Sequence, residues 1–192
     1  MADESNAMPS VEYLIGALTG ARRRSRQEAA HMIALWAHKD VTQVLPFADE
    51  LVDALYRPEA QTRWEAFDAL GEIALKDADL VAEGFDGAEA SLFDDGSAIV
   101  RLAAFRFLCR LGASSPQRSD AAWPLLDEAI QCYHGDPEYR DMLIALLEFA
   151  GGNLSDATRD ALIARVGFDA ENGTNYIKVF SSQIIAAAKG GE

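Results

Sequence analysis

Residues 63–70 read RWEAFDAL and residues 101–108 read RLAAFRFL. In each stretch an arginine is followed three, four and seven positions later by alanine, phenylalanine and leucine. Apolar residues at this spacing lie on one face of an α-helix, where they are buried together. The two stretches therefore predict two equivalent amphipathic helices, each opened by an arginine.

The same pattern recurs along most of the chain as an internal repeat. The arginines that open the similar segments follow one another at nearly equal intervals: Arg26, Arg63, Arg101 and Arg140. A further step of similar length reaches another cation, Lys178. The residues seven positions after these cations are all large and aliphatic: Ile33, Leu70, Leu108, Leu147 and Ile185. Self-similarity with a period of about 38 residues predicts a stack of similar helical units.

A second set of apolar helical patterns lies between the repeating helices. They cover residues 11–18, 41–56, 79–93, 121–133 and 155–166, the last with Ser155 as its predicted cap, and a turn-rich stretch follows at residues 167–175. Because no window sustains a period of two with β-branched residues, no sheet is predicted. The unit is a helix, a short turn and a second helix, repeated about five times. Residues 10–188 are predicted to form one repeat domain, with loose tails at residues 1–9 and 189–192.

The segments at residues 58–71 and 97–105, with the Asp136–Pro137 turn before Arg140, resemble HEAT repeats. These repeats belong to the armadillo-like and phycobilisome-lyase-like superhelical group. The resemblance implies an all-α, right-handed α-α superhelix of about five helical hairpins, a HEAT-like solenoid. It is specific for the fold and says little about function, because such folds host scaffolds, chaperones, transport factors and a few enzymes.

Composition and charge exclude several classes of protein. The chain has 192 residues, with 17 basic and 31 acidic side chains, and its formal net charge is −14. No apolar run approaches the roughly 20 residues needed to cross a bilayer, and no secretory signal opens the sequence, so a cytoplasmic protein without a membrane span is expected. The acidic balance opposes general binding to nucleic acid or anionic membranes. Cys109 and Cys132 are expected to be reduced thiols.

Three groups of residues are candidates for contacts with a partner or between repeats. Arg22, Arg23 and Arg24 form the densest cationic cluster, in an amino-terminal part (residues 1–57) of charge −2, whereas residues 58–192 carry −12. Trp64 lies off the apolar stripe and shares a helix face with Asp68, so both are candidate binding residues. A structural ladder is predicted from Arg26, Arg63, Arg101 and Arg140, which would pair with acidic turn residues such as Asp95 and Asp136.

No catalytic or metal-binding motif is present in the sequence. Cys132 and His134 lie too close together for a zinc half-site and have no second Cys/His pair nearby. There is no P-loop, no GxGxxG and no GxSxG. The sequence therefore predicts no cofactor and no metal, and names no catalytic residue.

These observations favour a non-catalytic protein-interaction or scaffold module, whose partner has basic or helical character and whose oligomeric state is open. The alternative is a HEAT-like DNA-alkylation glycosylase or nucleic-acid binder that uses Trp64, Asp68 and the arginines at residues 22–26. That reading needs a basic groove to hold DNA. A third hypothesis, a small-molecule lyase or its chaperone, rests on the resemblance to the phycobilisome-lyase group alone.

Overall fold

The computed structural model describes residues 8–190, and these residues form ten α-helices and no strand. The helices are α1 (Val11–Leu18), α2 (Arg23–Asp40), α3 (Ala48–Ala54), α4 (Ala60–Lys76), α5 (Gly84–Leu92), α6 (Ala98–Gly112), α7 (Pro116–Cys132), α8 (Tyr139–Ala150), α9 (Asp156–Asn172) and α10 (Asn175–Ala188). The prediction of an all-α chain of about five helix–turn–helix units is confirmed. Residues 1–7 of the predicted N-terminal tail and residues 191–192 of the C-terminal tail lie outside the described residues.

The described residues fall into two compact units, the first ending at Gly87 and the second beginning at Ala88. In the first unit, α2 packs against both α1 and α4, and α3 packs against α4. In the second unit, α6 packs against α7 and α8, while α10 packs against α8 and α9. Each unit thus sets its repeating helices side by side and covers them with the intervening helices.

Serine hydroxyls cap several of the helices. Each accepts a hydrogen bond from the backbone N–H three residues further on, and the caps of α1, α6, α7 and α9 are Ser10, Ser97, Ser115 and Ser155. Such a cap satisfies a backbone donor that has no partner within the helix and stabilises it by about 1 kcal/mol. The predicted cap at Ser155 is among them.

Several predicted element boundaries are wrong. The pattern at residues 79–93 is a 3-10 turn at Ala78–Val81 followed by α5, and the helix predicted at residues 121–133 begins earlier, at Pro116. The pattern at residues 41–56 is not one helix: short 3-10 turns at Val41–Gln43 and Leu45–Phe47 precede α3. Pro46 lacks the N–H that a continuous helix needs there. Most of the predicted turn at residues 167–175 is instead the last part of α9, which runs through Gly167 to Asn172, and only residues 173–174 separate α9 from α10. A glycine costs a helix only about 1 kcal/mol, and packing of α9 against α10 outweighs it.

The apolar stripe predicted from the repeat forms the core of α2, α4 and α6. In α6, for example, Ala104, Phe105 and Leu108 are 0% exposed. In α8 the register moves by one residue, so that Leu146 is buried and the predicted Leu147 is only half-buried. The register moves because the separation in sequence between Arg101 and Arg140 is one residue longer than the separation between Arg63 and Arg101.

No helix in the described residues is both long and apolar enough to span a membrane.

Candidate functional site

Arg26 joins α2 to the start of α4 through a buried ion pair. Its guanidinium bonds the carboxylate of Glu59, with Nε 3.4 Å from Oε2, and Nη2 bonds Oε1. Nη1 donates to the backbone carbonyls of Gly20 at 3.0 Å and Ala21 at 2.8 Å. The hydrogen bond from Arg26 is the main reason that the pKa of Glu59 lies below its ordinary value.

Arg101 makes the equivalent connection between α6 and α8. Its Nη2 donates to Glu138 Oε1 at 2.6 Å, and its Nη1 donates to the carbonyl of Asp94 at 2.9 Å. The guanidinium carbon also lies 4.7 Å from the centre of the Tyr133 ring, within the range of a cation–π contact. Arg101 is therefore held by a charge, a carbonyl and an aromatic face at once.

Glu59 and Glu138 occupy the same place in the repeat, as the N-cap residues of α4 and α8. We call the pairs Arg26–Glu59 and Arg101–Glu138 inter-repeat clamps, because each links one repeating helix to the next. The predicted acidic partners, Asp95 and Asp136, are exposed at the turns instead.

The other two ladder arginines lie in different surroundings. Arg63 is half-buried in α4, at the position that corresponds to Arg26 and Arg101. Arg140 is exposed, and the residue before it, Tyr139, is buried in its place. The shift of register in α8 explains this difference, since a one-residue rotation of a helix turns a side chain by about 100°.

A row of carboxylates on α4 faces two histidines of α2, and we call these residues the α2–α4 face: His31, His38, Glu65, Asp68 and Glu72. The Nδ1 atom of His31 lies 2.9 Å from Glu65 Oε1. His38 lies between two carboxylates, with Nε2 2.7 Å from Asp68 Oδ2 and Nδ1 3.3 Å from Glu72 Oε1. The face is thus a polar seam along two neighbouring helices of the first unit, with its histidines half-exposed.

Glu65 is the buried member of the α2–α4 face, with only 2% of its surface exposed. Burial raises the pKa of its carboxyl, while the hydrogen bond and charge of His31 lower it, and the nearby Asp68 carboxylate raises it further. The net shift is upward. Loss of hydration therefore outweighs pairing at this position.

Replacing Glu65 with glutamine is expected to stabilise the protein at pH 7. Because the folded pKa is raised above the ordinary 4.5, ionisation costs stability at neutral pH, and the cost disappears as the pH falls through the raised pKa. We expect the midpoint of thermal unfolding to rise by about 2–4 °C at pH 7, which corresponds to about 1 kcal/mol in a chain of this size.

The comparison is made by differential scanning calorimetry of the unaltered chain and the Glu65→Gln variant at several pH values. The advantage of the Glu65→Gln variant should shrink between pH 7 and pH 4. An advantage that stays constant over this interval, or grows, contradicts the assignment.

The structure places the candidate binding residues in two separate settings. Trp64 is half-buried in α4, and Asp68 of the same helix is held by His38. Arg22, Arg23 and Arg24 are exposed at the beginning of α2, and Arg24 Nε donates to Glu28 at 2.7 Å. Asp68 thus belongs to the α2–α4 face, and the arginine cluster does not.

The two histidines and their further partners, Glu65 and Glu72, were not predicted from the sequence. A signal for them existed, because His31 and Glu65 are 34 residues apart, and His38 and Glu72 have the same separation. Residues separated by nearly one repeat face each other on adjacent repeating helices. His134 and Asp169 repeat this arrangement in the second unit, at 3.2 Å and a separation of 35 residues.

Searching the described residues reveals no group of three or more His, Cys, Asp and Glu side chains arranged to hold a metal ion. Cys109 is buried, and burial raises the pKa of its thiol. Cys132 is exposed near the end of α7.

Comparison with solved structures finds helical repeat proteins over almost the whole chain. A designed armadillo repeat protein in complex with the peptide (KR)4 is 16% identical and has a TM-score of 0.75, with 93% of this chain and 81% of that chain covered. An engineered protein from the Northeast Structural Genomics Consortium gives 18% identity, a TM-score of 0.75, and coverage of 94% and 80%. The chain has an armadillo/HEAT-like repeat fold.

A natural protein is also among the similar structures. The complex of CpcE and CpcF of phycocyanin lyase from Nostoc sp. is 18% identical and has a TM-score of 0.66, with 98% of this chain and 68% of that chain covered. No family model matches the sequence, and no curated protein sequence matches it. The similar solved structures confirm the predicted HEAT-like resemblance as a likeness of fold.

Proposed function

We propose that this armadillo/HEAT-like chain is a non-catalytic protein-binding module and that its α2–α4 face receives a basic, extended segment of another protein. The observation that carries the proposal is the row of carboxylates, Glu65, Asp68 and Glu72, on one side of α4. Their partners on α2 are the half-exposed His31 and His38. Lysine or arginine side chains of a partner are stronger cations than histidine at neutral pH.

The spacing of the accessible carboxylates suits an extended peptide. Asp68 and Glu72 are four residues apart in α4, which corresponds to about 6 Å along the helix axis. Alternate side chains of an extended strand point to the same side and are about 6.6 Å apart. A peptide with a basic residue at every second position thus matches the two carboxylates in turn.

Trp64 adds a second kind of contact beside the carboxylates. It precedes Asp68 by four residues, so the two side chains share a face of α4, and it is half-buried. An indole ring attracts the aliphatic stem and the charge of lysine or arginine. Tryptophan next to carboxylates is therefore a suitable anchor for a cationic segment.

The net charge of −14 supports the same partner class, because it attracts basic segments and repels nucleic acid at long range. One of the similar structures, a designed armadillo repeat protein, is in complex with (KR)4, which shows that the fold can carry such a peptide. The glycosylase or nucleic-acid alternative stays a prediction, and Asp68, on which it depends, is engaged by His38.

The test is fluorescence anisotropy of fluorescein-labelled (KR)4 titrated with the full-length chain. We expect the Asp68→Asn/Glu72→Gln double variant to bind at least about tenfold more weakly, since two charge-assisted contacts are lost. The matched control is Asp49→Asn/Asp53→Asn, which removes the same charge from exposed positions of α3. Binding should weaken with added salt.

If the two double variants bind (KR)4 equally weakly, the peptide is attracted by the net charge of the chain and does not bind specifically at the α2–α4 face. That result, or the absence of (KR)4 binding at millimolar protein concentration, refutes the proposal.

A further inference from the structure

A groove runs along the outer side of α1 and the beginning of α2, and we call it the α1–α2 groove. Its volume is about 560 Å³. The residues that line it are Glu12, Tyr13, Gly16, Ala17, Gly20, Ala21, Arg22 and Ser25. This groove lies in the first unit and shares no residue with the α2–α4 face.

Small residues make the floor of the groove, and an aromatic side chain stands beside it. Gly16 and Ala17 belong to the last part of α1, and Gly20 lies in the turn that follows it. A Cβ atom built at Gly16 meets no atom within 4 Å, so the space above it is open. Tyr13 is 71% exposed, which is high for a large aromatic residue in a helix. The floor therefore leaves room for a bulky apolar side chain from outside.

Two exposed arginines stand at the end of the groove formed by the beginning of α2, in contrast to the acidic balance of the whole chain. Arg22 lines the groove, and Arg23 follows it as the first residue of α2. Both are exposed, and neither side chain makes a hydrogen bond or close ion pair within the described residues. Arg24 is paired with Glu28, and Glu12 is the acidic residue of the lining. The lining thus holds one arginine and one carboxylate, and Arg23 stands next to Arg22 outside the lining, with its charge also acting on Glu59.

We propose that the α1–α2 groove binds an acidic segment of a partner protein that carries one aromatic or large aliphatic side chain. The apolar side chain occupies the space over Gly16 and Gly20 beside Tyr13. The acidic residues next to it pair with Arg22 and Arg23, whose planar guanidinium groups bind carboxylates with two parallel hydrogen bonds. This site is independent of the α2–α4 face, whose proposed partner is basic.

A protein segment fits the groove better than nucleic acid does. The pocket is a single short depression with an apolar floor, and a nucleic-acid site needs an extended row of cations along the backbone. The formal charge of −14 also repels a polyanion at long range. A short acidic peptide carries fewer charges and gains from the apolar anchor.

The test uses the full-length chain and two pairs of matched variants. Gly16→Leu fills the groove, while Gly167→Leu makes the same change in α9, where a Cβ also meets no atom within 4 Å. Arg22→Glu reverses a charge at the groove, while Arg140→Glu reverses an exposed charge in α8. Both leucine variants replace a helical glycine by a better helix former, so loss of folding is not expected.

The probe is fluorescein-labelled (DE)2F(DE)2, measured by fluorescence anisotropy at low and physiological salt. We expect Gly16→Leu and Arg22→Glu each to weaken binding about tenfold, and the two control variants to bind as the unaltered chain does. The peptide (DE)4, which lacks phenylalanine, should bind more weakly than the probe.

Three results would overturn the proposal. The first is no binding of the probe at millimolar protein concentration. The second is loss of binding in Arg22→Glu without loss in Gly16→Leu, which indicates an ionic contact outside the groove. The third is self-association of the unaltered chain in sedimentation equilibrium that Gly16→Leu abolishes, which makes a second copy of the chain the occupant.

Discussion

Replacing Glu59 with alanine is expected to lower the free energy of unfolding by about 3 kcal/mol, since the guanidinium of Arg26 then stays buried without its counter-charge. The side chains of Arg26 and Glu59 are only 11% and 4% exposed. The carbonyls of Gly20 and Ala21 still accept from Nη1 in the variant, which keeps the cost near the lower end of the range for a broken buried pair.

Chemical denaturation at pH 7 measures the effect, and Glu28→Ala provides the control. Glu28 pairs with Arg24 at 2.7 Å, but both side chains are largely exposed. Loss of such a surface pair costs about 0.5 kcal/mol. An Arg26→Met/Glu59→Met double variant should be nearly as stable as the unaltered chain, because it leaves no charge unpaired. Equal costs for Glu28→Ala and Glu59→Ala would refute the role of the clamp.

The contribution of Glu59 also depends on pH in a defined direction. Its folded pKa is lower than the ordinary 4.5, so the stabilisation is complete above the unfolded pKa and is lost as the pH falls through the folded one. The difference between the unaltered chain and Glu59→Ala should therefore be constant near neutral pH and decrease below about pH 4.5.

Replacing Phe105 with alanine is expected to cost about 3–5 kcal/mol, at least as much as the loss of Glu59. Phe105 is 0% exposed, in the middle of α6, and α6 packs against both α7 and α8. The cost combines the lost transfer of the ring from water with the cavity left between three helices. A loss of this size is a large fraction of the stability of an ordinary domain.

Phe168→Ala is the matched control, because Phe168 lies in the same unit and is 73% exposed. We expect it to change the free energy of unfolding by no more than about 0.5 kcal/mol. Thermal and denaturant unfolding of both variants, followed by circular dichroism, measures the difference. A loss below about 1 kcal/mol for Phe105→Ala would show that the cavity collapses or that α6 is not part of the cooperative core.

The repeat predicted the core well because burial imposes a period on the sequence. Phe105 was identified from its position four residues after Arg101, and Phe67 and Leu70 from their positions four and seven residues after Arg63. Helix ends were predicted less well. The helix predicted at residues 41–56 is interrupted at Pro46, whereas α9 continues through Gly167, where a turn was predicted. A proline removes a backbone donor wherever it stands, whereas the small cost of a glycine is easily outweighed by packing.

In the candidate sites, too, local features were predicted from the sequence and features that depend on a neighbouring helix were not. Arg22 and Trp64 were visible as a charge cluster and an off-stripe aromatic residue, which are local features. Glu65 was not identified, because a glutamate next to an apolar stripe is expected to be exposed to solvent, and the sequence does not show which residue of the neighbouring helix lies beside it. It is buried where α4 packs against α2, and His31 of α2 is hydrogen-bonded to it.

By itself, the sequence determined the helical repeat and its period, the apolar stripe and the acidic balance, because each is a periodic or summed property of the chain. Only the tertiary structure decided which charges meet. It paired Arg26 with Glu59 and Arg101 with Glu138, left Arg140 exposed, and set His31 and His38 against the carboxylates of α4. The physical reason is that pairing depends on the rotation of each helix about its axis, and a shift of one residue changes that rotation by about 100°.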